Sequence, residues 1–228
     1  MNAEVWEITW FTLLAALLAT LLMLAPGVWI AWILARREFP GKSLLEVFVT
    51  FPLVIPPVAT GLILLQLFGA RGPFGVVLAA LGVDLIFTWK AVVLAMSVMG
   101  LPLVVRTVRA GFEQVNRRYE QIAESLGAGP GRVFYSITLP LAFRSVIAGA
   151  ILGFSRALGE FGATVMVAGN IPGRTRTLAV SIYSYTETGQ DAAAARLLAI
   201  SMALAFVALW TSNRLVQQRA SGQPARRV

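Results

Sequence analysis

The chain contains no histidine and no cysteine, which removes the imidazole as a proton shuttle, the thiolate as a nucleophile and both groups as zinc ligands. Carboxylates, guanidinium groups and hydroxyls remain, and their spacing is informative in two places. Arg156 and Glu160, in "GFSRALGEFGATV", stand one helical turn apart in an otherwise apolar stretch. Further upstream, "AESLGAGPGRVFYSITLP" at 123–140 sets Glu124, Arg132, a glycine and proline cluster and a closing Leu139-Pro140 between two long apolar runs. Neither place holds a carboxylate pair or a nucleophile beside a base, so neither suits acid–base or covalent catalysis. Both suit charge pairing and contact with another surface. No enzyme active site, metal centre or cofactor is expected in this chain.

Two motif-like strings fail on inspection. "FPGKS" at 39–43 ends like a phosphate-binding loop, but the required first glycine falls on Arg36. "GAGPGR" has Arg132 where a dinucleotide fold needs its third glycine.

The elements that must position these residues are set by hydropathy. Of 228 residues, 57% are hydrophobic and 13% charged, more apolar surface than a soluble core of this size needs, so an all-α polytopic transmembrane bundle in one domain, 1–228, is expected. Five segments reach the ~20 residues that a ~30 Å hydrocarbon layer requires: 8–35, 44–69, 86–108, 143–168 and 196–214. The first is too long for a signal peptide and lacks a basic start, so it is expected to be retained. The second contains Pro52, Pro56, Pro57 and Gly61, which demand a bend or interruption. The runs 74–83 and 178–186 are too short to span and read as partial helices on one side.

The net charge of +8 follows membrane topology better than nucleic-acid binding, because the basic residues are scattered over short loops. With the N-terminus outside, thirteen Lys and Arg lie on the inner side and five on the outer. That bias predicts an outer N-terminus, a cytoplasmic C-terminus and a cytoplasmic loop at 113–137. Five spans do not divide into two inverted halves, so a second copy is needed to enclose a pathway.

Within that loop Tyr119, Ile122, Ala123 and Leu126 recur at helical spacing, with Arg117, Glu120, Gln121, Glu124 and Ser125 opposite. Glu113 and Arg117 read as an i,i+4 pair. Gly127 is placed to stop the helix and Pro130 to open a second one. An amphipathic helix of this kind either lies on lipid headgroups or enters a groove on a partner. Arg156 and Glu160 likewise leave two readings: an ion pair locking helices, or part of a gate or pathway wall beside Gly153, Gly159 and Gly162. Thr60, Ser155 and Thr164 are the polar candidates for that wall. In the outer loop "NIPGRTRTL", Arg174 and Arg176 either meet an anion or form a solvated turn that contacts a partner.

The loop resembles the signature of ABC importer permeases, in which Gly127, Ile137 and Leu139-Pro140 match in register and the opening triplet falls on Gln121, Ile122 and Ala123, keeping only the second alanine, with Glu120 just before it. "SRALGEFGATV" with "GNIPGRTRT", and "ARREFPGKS" with "FPLVIPPVATG", are similar to the molybdate branch of that family, with sulfate and thiosulfate permeases close to it. The resemblance implies a type I importer permease fold in the plasma (inner) membrane, and a homodimer. It also implies two cytoplasmic ATPase subunits that carry ATP and Mg, and an extracytoplasmic oxyanion-binding protein touching the 70–90 and 169–191 loops. Glu120, Gln121, Ala123, Glu124, Leu126, Gly127, Arg132, Ile137, Leu139 and Pro140 would then couple to the ATPase. Tungstate is a further candidate substrate. An ion-coupled secondary transporter is the alternative class, disfavoured because Glu160 is the one clearly intramembrane acid in the sequence.

Overall fold

The computed structural model describes residues 3–220, so Arg226 and Arg227, two of the thirteen basic residues assigned to the inner side, lie outside it. Every regular element among the described residues is helical. In chain order they are α1 (Ala3–Arg36), α2 (Lys42–Val54), α3 (Pro57–Phe68), α4 (Pro73–Ala80), α5 (Trp89–Glu113) and α6 (Arg117–Ser125). There follow α7 (Pro130–Val133), a π-helical turn (Phe134–Thr138), α8 (Leu139–Leu158), α9 (Gly162–Ala168), α10 (Leu178–Glu187) and α11 (Asp191–Ala220). Four helical stretches are long and apolar enough to cross a membrane: α1, α5, the continuous run Pro130–Leu158, and Asp191–Thr211 within α11.

The fifth expected span is a broken pair. α2 and α3 meet at a bend of 113°, and each arm, at 1.5 Å per residue, is only about 20 Å long. Proline chemistry makes the break. A residue preceding proline is driven out of the α region, and Ile55 is extended at φ −70, ψ 142 while Pro56 and Pro57 open the next helix. The short runs 74–83 and 178–186 fall on the short helices α4 and α10.

The fourth span differs from its expected bounds of 143–168. It begins at Pro130 and stops at Leu158, and residues 162–168 form a separate helix, α9, laid against α3. Hydropathy alone misses this break because both sides of Gly159-Glu160-Phe161 are apolar. The second helix, opened by Pro130, does not end at Leu139-Pro140. Proline lacks the N–H for an i−4 bond and its ring crowds that carbonyl. Here the chain widens into a π turn just before it, in which the Leu139 N–H reaches the Phe134 carbonyl five residues back. The helix therefore runs through the proline as one rod.

The centre of the bundle is the α1, α5 and α8 seam, where Met23, Val104, Val108, Phe112 and Ala142 are buried together. Gly149 and Gly153, four apart on α8, bring it against α5, and a Cβ at Gly153 would stand 2.7 Å from Val104 Cγ2. The contact between α3 and α9 is made against backbone. A Cβ at Gly61 would lie 2.8 Å from the Ala163 Cα and 2.9 Å from the Ala163 carbonyl oxygen, backbone atoms that no rotamer change can move aside.

Gly61→Ala is therefore expected to push α3 from α9 and to cost about 1–3 kcal/mol, the usual range for overpacking. It should lower the thermal midpoint of the solubilised protein. Gly159→Ala, where nothing lies within 4 Å of the added Cβ, is the matched substitution expected to leave the midpoint unchanged.

Candidate functional site

The 113–137 loop is built on a helix whose two sides have different partners. Asn116 caps α6 by accepting the Arg118 N–H at 2.9 Å. At the other end the Ala128 N–H reaches the Ala123 carbonyl and the Gly127 N–H the Glu124 carbonyl, with Gly127 left-handed at φ +86. This is the Schellman arrangement expected of a glycine in that place. The Glu113–Arg117 pair does not form. α5 ends at Glu113, which pairs with Arg109 at 2.7 Å, while Arg117 turns to the Ala35 carbonyl at 3.2 Å.

Glu120 faces the bundle. Its carboxylate takes the Arg36 Nε–H at 3.0 Å and the Thr138 hydroxyl at 2.6 Å, and its side chain is 13% exposed. Arg36 also donates to the Val115 carbonyl at 3.1 Å. One carboxylate thus joins the end of α1, the helix α6 and the π turn at the base of α8. Phe134 reinforces the junction, its ring 5.4 Å from Trp32 and 6.1 Å from Phe112. Charge-assisted hydrogen bonds in such a half-buried place are stronger than surface pairs. Beside the junction is a cleft of about 290 Å³ lined in part by Arg37, Gln121, Glu124 and Pro130.

The opposite side of α6 is exposed. Tyr119, Ile122 and Leu126 stand exposed at i, i+3 and i+7, Leu126 at 82%. Tyr135 is exposed on the π turn. Gln121, Glu124, Arg132 and Pro140 are exposed as well, while Ala123, Ile137 and Leu139 are half-buried. The proposed coupling residues therefore divide: Glu120 holds the loop to its own bundle, Gln121 and Glu124 line the cleft beside it, and Leu126 stands on the exposed apolar side. Arg36, Thr138 and Phe134 were missed as members of this junction. Arg36 and Glu120 are 84 positions apart, and no local pattern links them.

The second group of residues sits at the helix breaks. Glu160 is 1% exposed. One carboxylate oxygen receives Arg156 Nη1 at 2.8 Å, and the other accepts the Ala163 N–H at 2.7 Å, capping α9. Arg156 lies in the last turn of α8 and Glu160 beyond its end, so the pair bridges a break and is not buried along a continuous helix. A free N–H inside an apolar layer would cost several kcal/mol, and Glu160 answers that demand. Gly162 packs on Pro57 and Val58, Gly153 in the central seam, and Gly159 faces open space. Ser155 is satisfied within its helix by the Ile151 carbonyl at 2.8 Å. The buried Thr60 and Thr164 hydroxyls, one on α3 and one on α9, have no hydrogen-bond partner among the described residues.

Comparison with known proteins follows the same lines. Residues 27–222 match the family model described as "Binding-protein-dependent transport system inner membrane component". The chain belongs to this family. Its relatives include the molybdenum transport system permease protein ModB of Escherichia coli K12, 44% identical over 220 residues that cover 94% of this chain and 96% of the relative. The sulfate transport system permease protein CysT of Salmonella typhimurium is 35% identical over 90% of this chain and 74% of its own. Among solved structures, a bacterial alginate ABC transporter in complex with an alginate-bound periplasmic protein matches with a TM-score of 0.71 at 14% identity. That match covers 96% of this chain and 80% of the other. The MetNI methionine transporter in an inward-facing form matches with a TM-score of 0.66 at 15% identity, over 96% and 99%. At these identities the structures share the fold with this chain. The protein is a multi-pass inner-membrane permease component of the ABC type.

Two outcomes are expected of this permease. Glu120→Ala should release α6 from Arg36 and Thr138, so hydrogen exchange should accelerate over 117–126 while α5 stays protected. Thr164→Val should leave stability equal or raise it by about 1–3 kcal/mol, since it removes an unpaired buried hydroxyl. If Thr164 serves a pathway, transport should fall even as thermal stability holds.

Proposed function

We propose that this permease is the membrane subunit of an ATP-driven importer for molybdate. Two copies enclose the pathway, and each carries one cytoplasmic ATPase subunit. An extracytoplasmic binding protein delivers the oxyanion to the outer face, at the N-terminal end of α1, and the C-terminus is cytoplasmic. ATP and Mg²⁺ bind the ATPase, and no cofactor is needed in this chain.

One observation carries the mechanical part: the apolar side of α6 is open while its acidic side is bolted to the base of a continuous helical rod, Pro130–Leu158. A partner that seats on Tyr119, Ile122 and Leu126 grips a lever joined to α1 and α8. Closing the ATPase pair then tilts these helices, and the two conformations differ in stability according to whether nucleotide is bound. The relatives named for molybdenum at up to 44% identity support the substrate. The compensated Arg156–Glu160 pair is consistent with passage of an anion, because it leaves no deep positive trap.

Sulfate is the second reading, favoured by the 35% identity to the CysT relative. Proteoliposomes containing the permease, its ATPase and its binding protein should accumulate labelled molybdate only with ATP inside, with little competition from excess sulfate. Uptake driven by an ion gradient without ATP would end the importer reading, and equal competition by sulfate would shift the substrate.

The turn at Gly127 gives a sharper test. No atom lies within 4 Å of a Cβ built there, so only backbone conformation is at stake, about 1–2 kcal/mol against most residues and less against Asn. Gly127→Val is expected to uncouple ATP hydrolysis from uptake in assembled complexes, and Gly127→Asn to retain coupling.

A further inference from the structure

A groove of about 560 Å³ opens at the N-terminal end of α1, within the usual range for small-ligand sites. Its floor is Trp6, Trp10, Phe11 and Leu14, and its wall is the Pro172–Arg174 turn. Trp6 and Trp10 stack with centroids 6.2 Å apart. Below them the exposed face of α1 continues through Leu17, Leu18, Leu21 and Leu22 along a membrane-spanning helix. Tryptophan at the end of such a face marks the headgroup level.

The mouth of the groove carries four ionisable groups of zero net charge: Glu4, Glu7, Arg174 and Arg176. Two are already engaged. Glu4 accepts Arg176 and the Tyr185 hydroxyl, and Arg176 also donates to Asn170 at 2.8 Å. Burial, followed by the neighbouring Glu4, pushes the Tyr185 phenol up, which keeps it a hydrogen-bond donor. Glu7 and Arg174 are exposed and form no ion pair among the described residues. An open carboxylate and an open guanidinium thus share the rim of an apolar groove at interfacial depth. A simple anion finds no net attraction there. A zwitterion with an acyl chain matches all three features.

We propose that this groove binds an aminophospholipid, with its phosphate on Arg174, its primary ammonium on Glu7 and one acyl chain over Trp10 and Leu14. A planar guanidinium suits a phosphate bidentately. The carboxylate uses N–H donors that a trimethylated headgroup lacks. The assignment does not depend on the transported substrate or on which leaflet this end of α1 occupies.

The test is native mass spectrometry of the delipidated permease with equimolar dioleoyl phosphatidylethanolamine, phosphatidylcholine and phosphatidylglycerol. One retained phosphatidylethanolamine per chain is expected, at least threefold preferred over the other two. Glu7→Gln should erase the preference over phosphatidylcholine, and Arg174→Gln should weaken retention of all three. Both side chains are exposed, so folding should be unaffected, as circular dichroism of the variants would verify. Equal retention of the three lipids, or an unchanged preference in Glu7→Gln, would overturn the assignment. So would loss of a dimer mass in Arg174→Gln without loss of lipid, which would make the groove a contact between copies.

Discussion

The Glu120 carboxylate is the point through which the cytoplasmic end of this molecule holds together. Its two oxygens receive a guanidinium from the end of α1 and a hydroxyl from the base of α8, so α6 cannot shift without moving both. The short helix has no buried residue of its own, and packing alone would leave it free to swing. A half-buried charge pair with a supporting hydroxyl gives it a fixed angle instead, since removing any one partner strands the others away from water. The Phe134 ring between Trp32 and Phe112 makes the same junction stiff on its apolar side.

A second carboxylate solves the opposite problem inside the membrane layer. Where α8 stops at Leu158, backbone groups are freed among buried side chains. Glu160 caps α9 with one oxygen and neutralises Arg156 with the other. The break is thereby stable, and it permits α9 to turn back onto α3, where Gly61 and Gly162 allow backbone contact. Thr60 and Thr164 lie on these same two helices, their hydroxyls without a partner among the described residues. The bundle thus has a continuous part, the α1, α5 and α8 seam, and an interrupted part at the α2–α3 and α8–α9 breaks.

Much of this was legible in the chain before any coordinates. The apolar lengths demanded a helical membrane bundle, because a polar backbone in hydrocarbon has few alternatives to the helix. Pro56-Pro57 demanded an interruption, and the Gly127 turn followed from the one residue that takes a left-handed conformation without a steric penalty. These are local demands, met within a few residues of where they arise. The α6 surface was legible for the same reason, its apolar positions recurring at helical spacing.

What only the tertiary structure decided was which side chains meet across distance and where an apolar run is cut. Arg36 finds Glu120 from 84 positions away, and Arg117 leaves its expected partner because α5 ends before it. The run 143–168 looked continuous because hydropathy measures transfer from water and is blind to a turn whose flanks are equally apolar. The rod through Pro140 was hidden by the opposite effect: a strong local breaker is overridden when a π turn takes up the missing bond and long-range packing at Phe134 and Thr138 holds that turn in place. Sequence determined the elements whose energies are local, and tertiary packing decided the joints, whose energies are sums over residues that the chain order keeps apart.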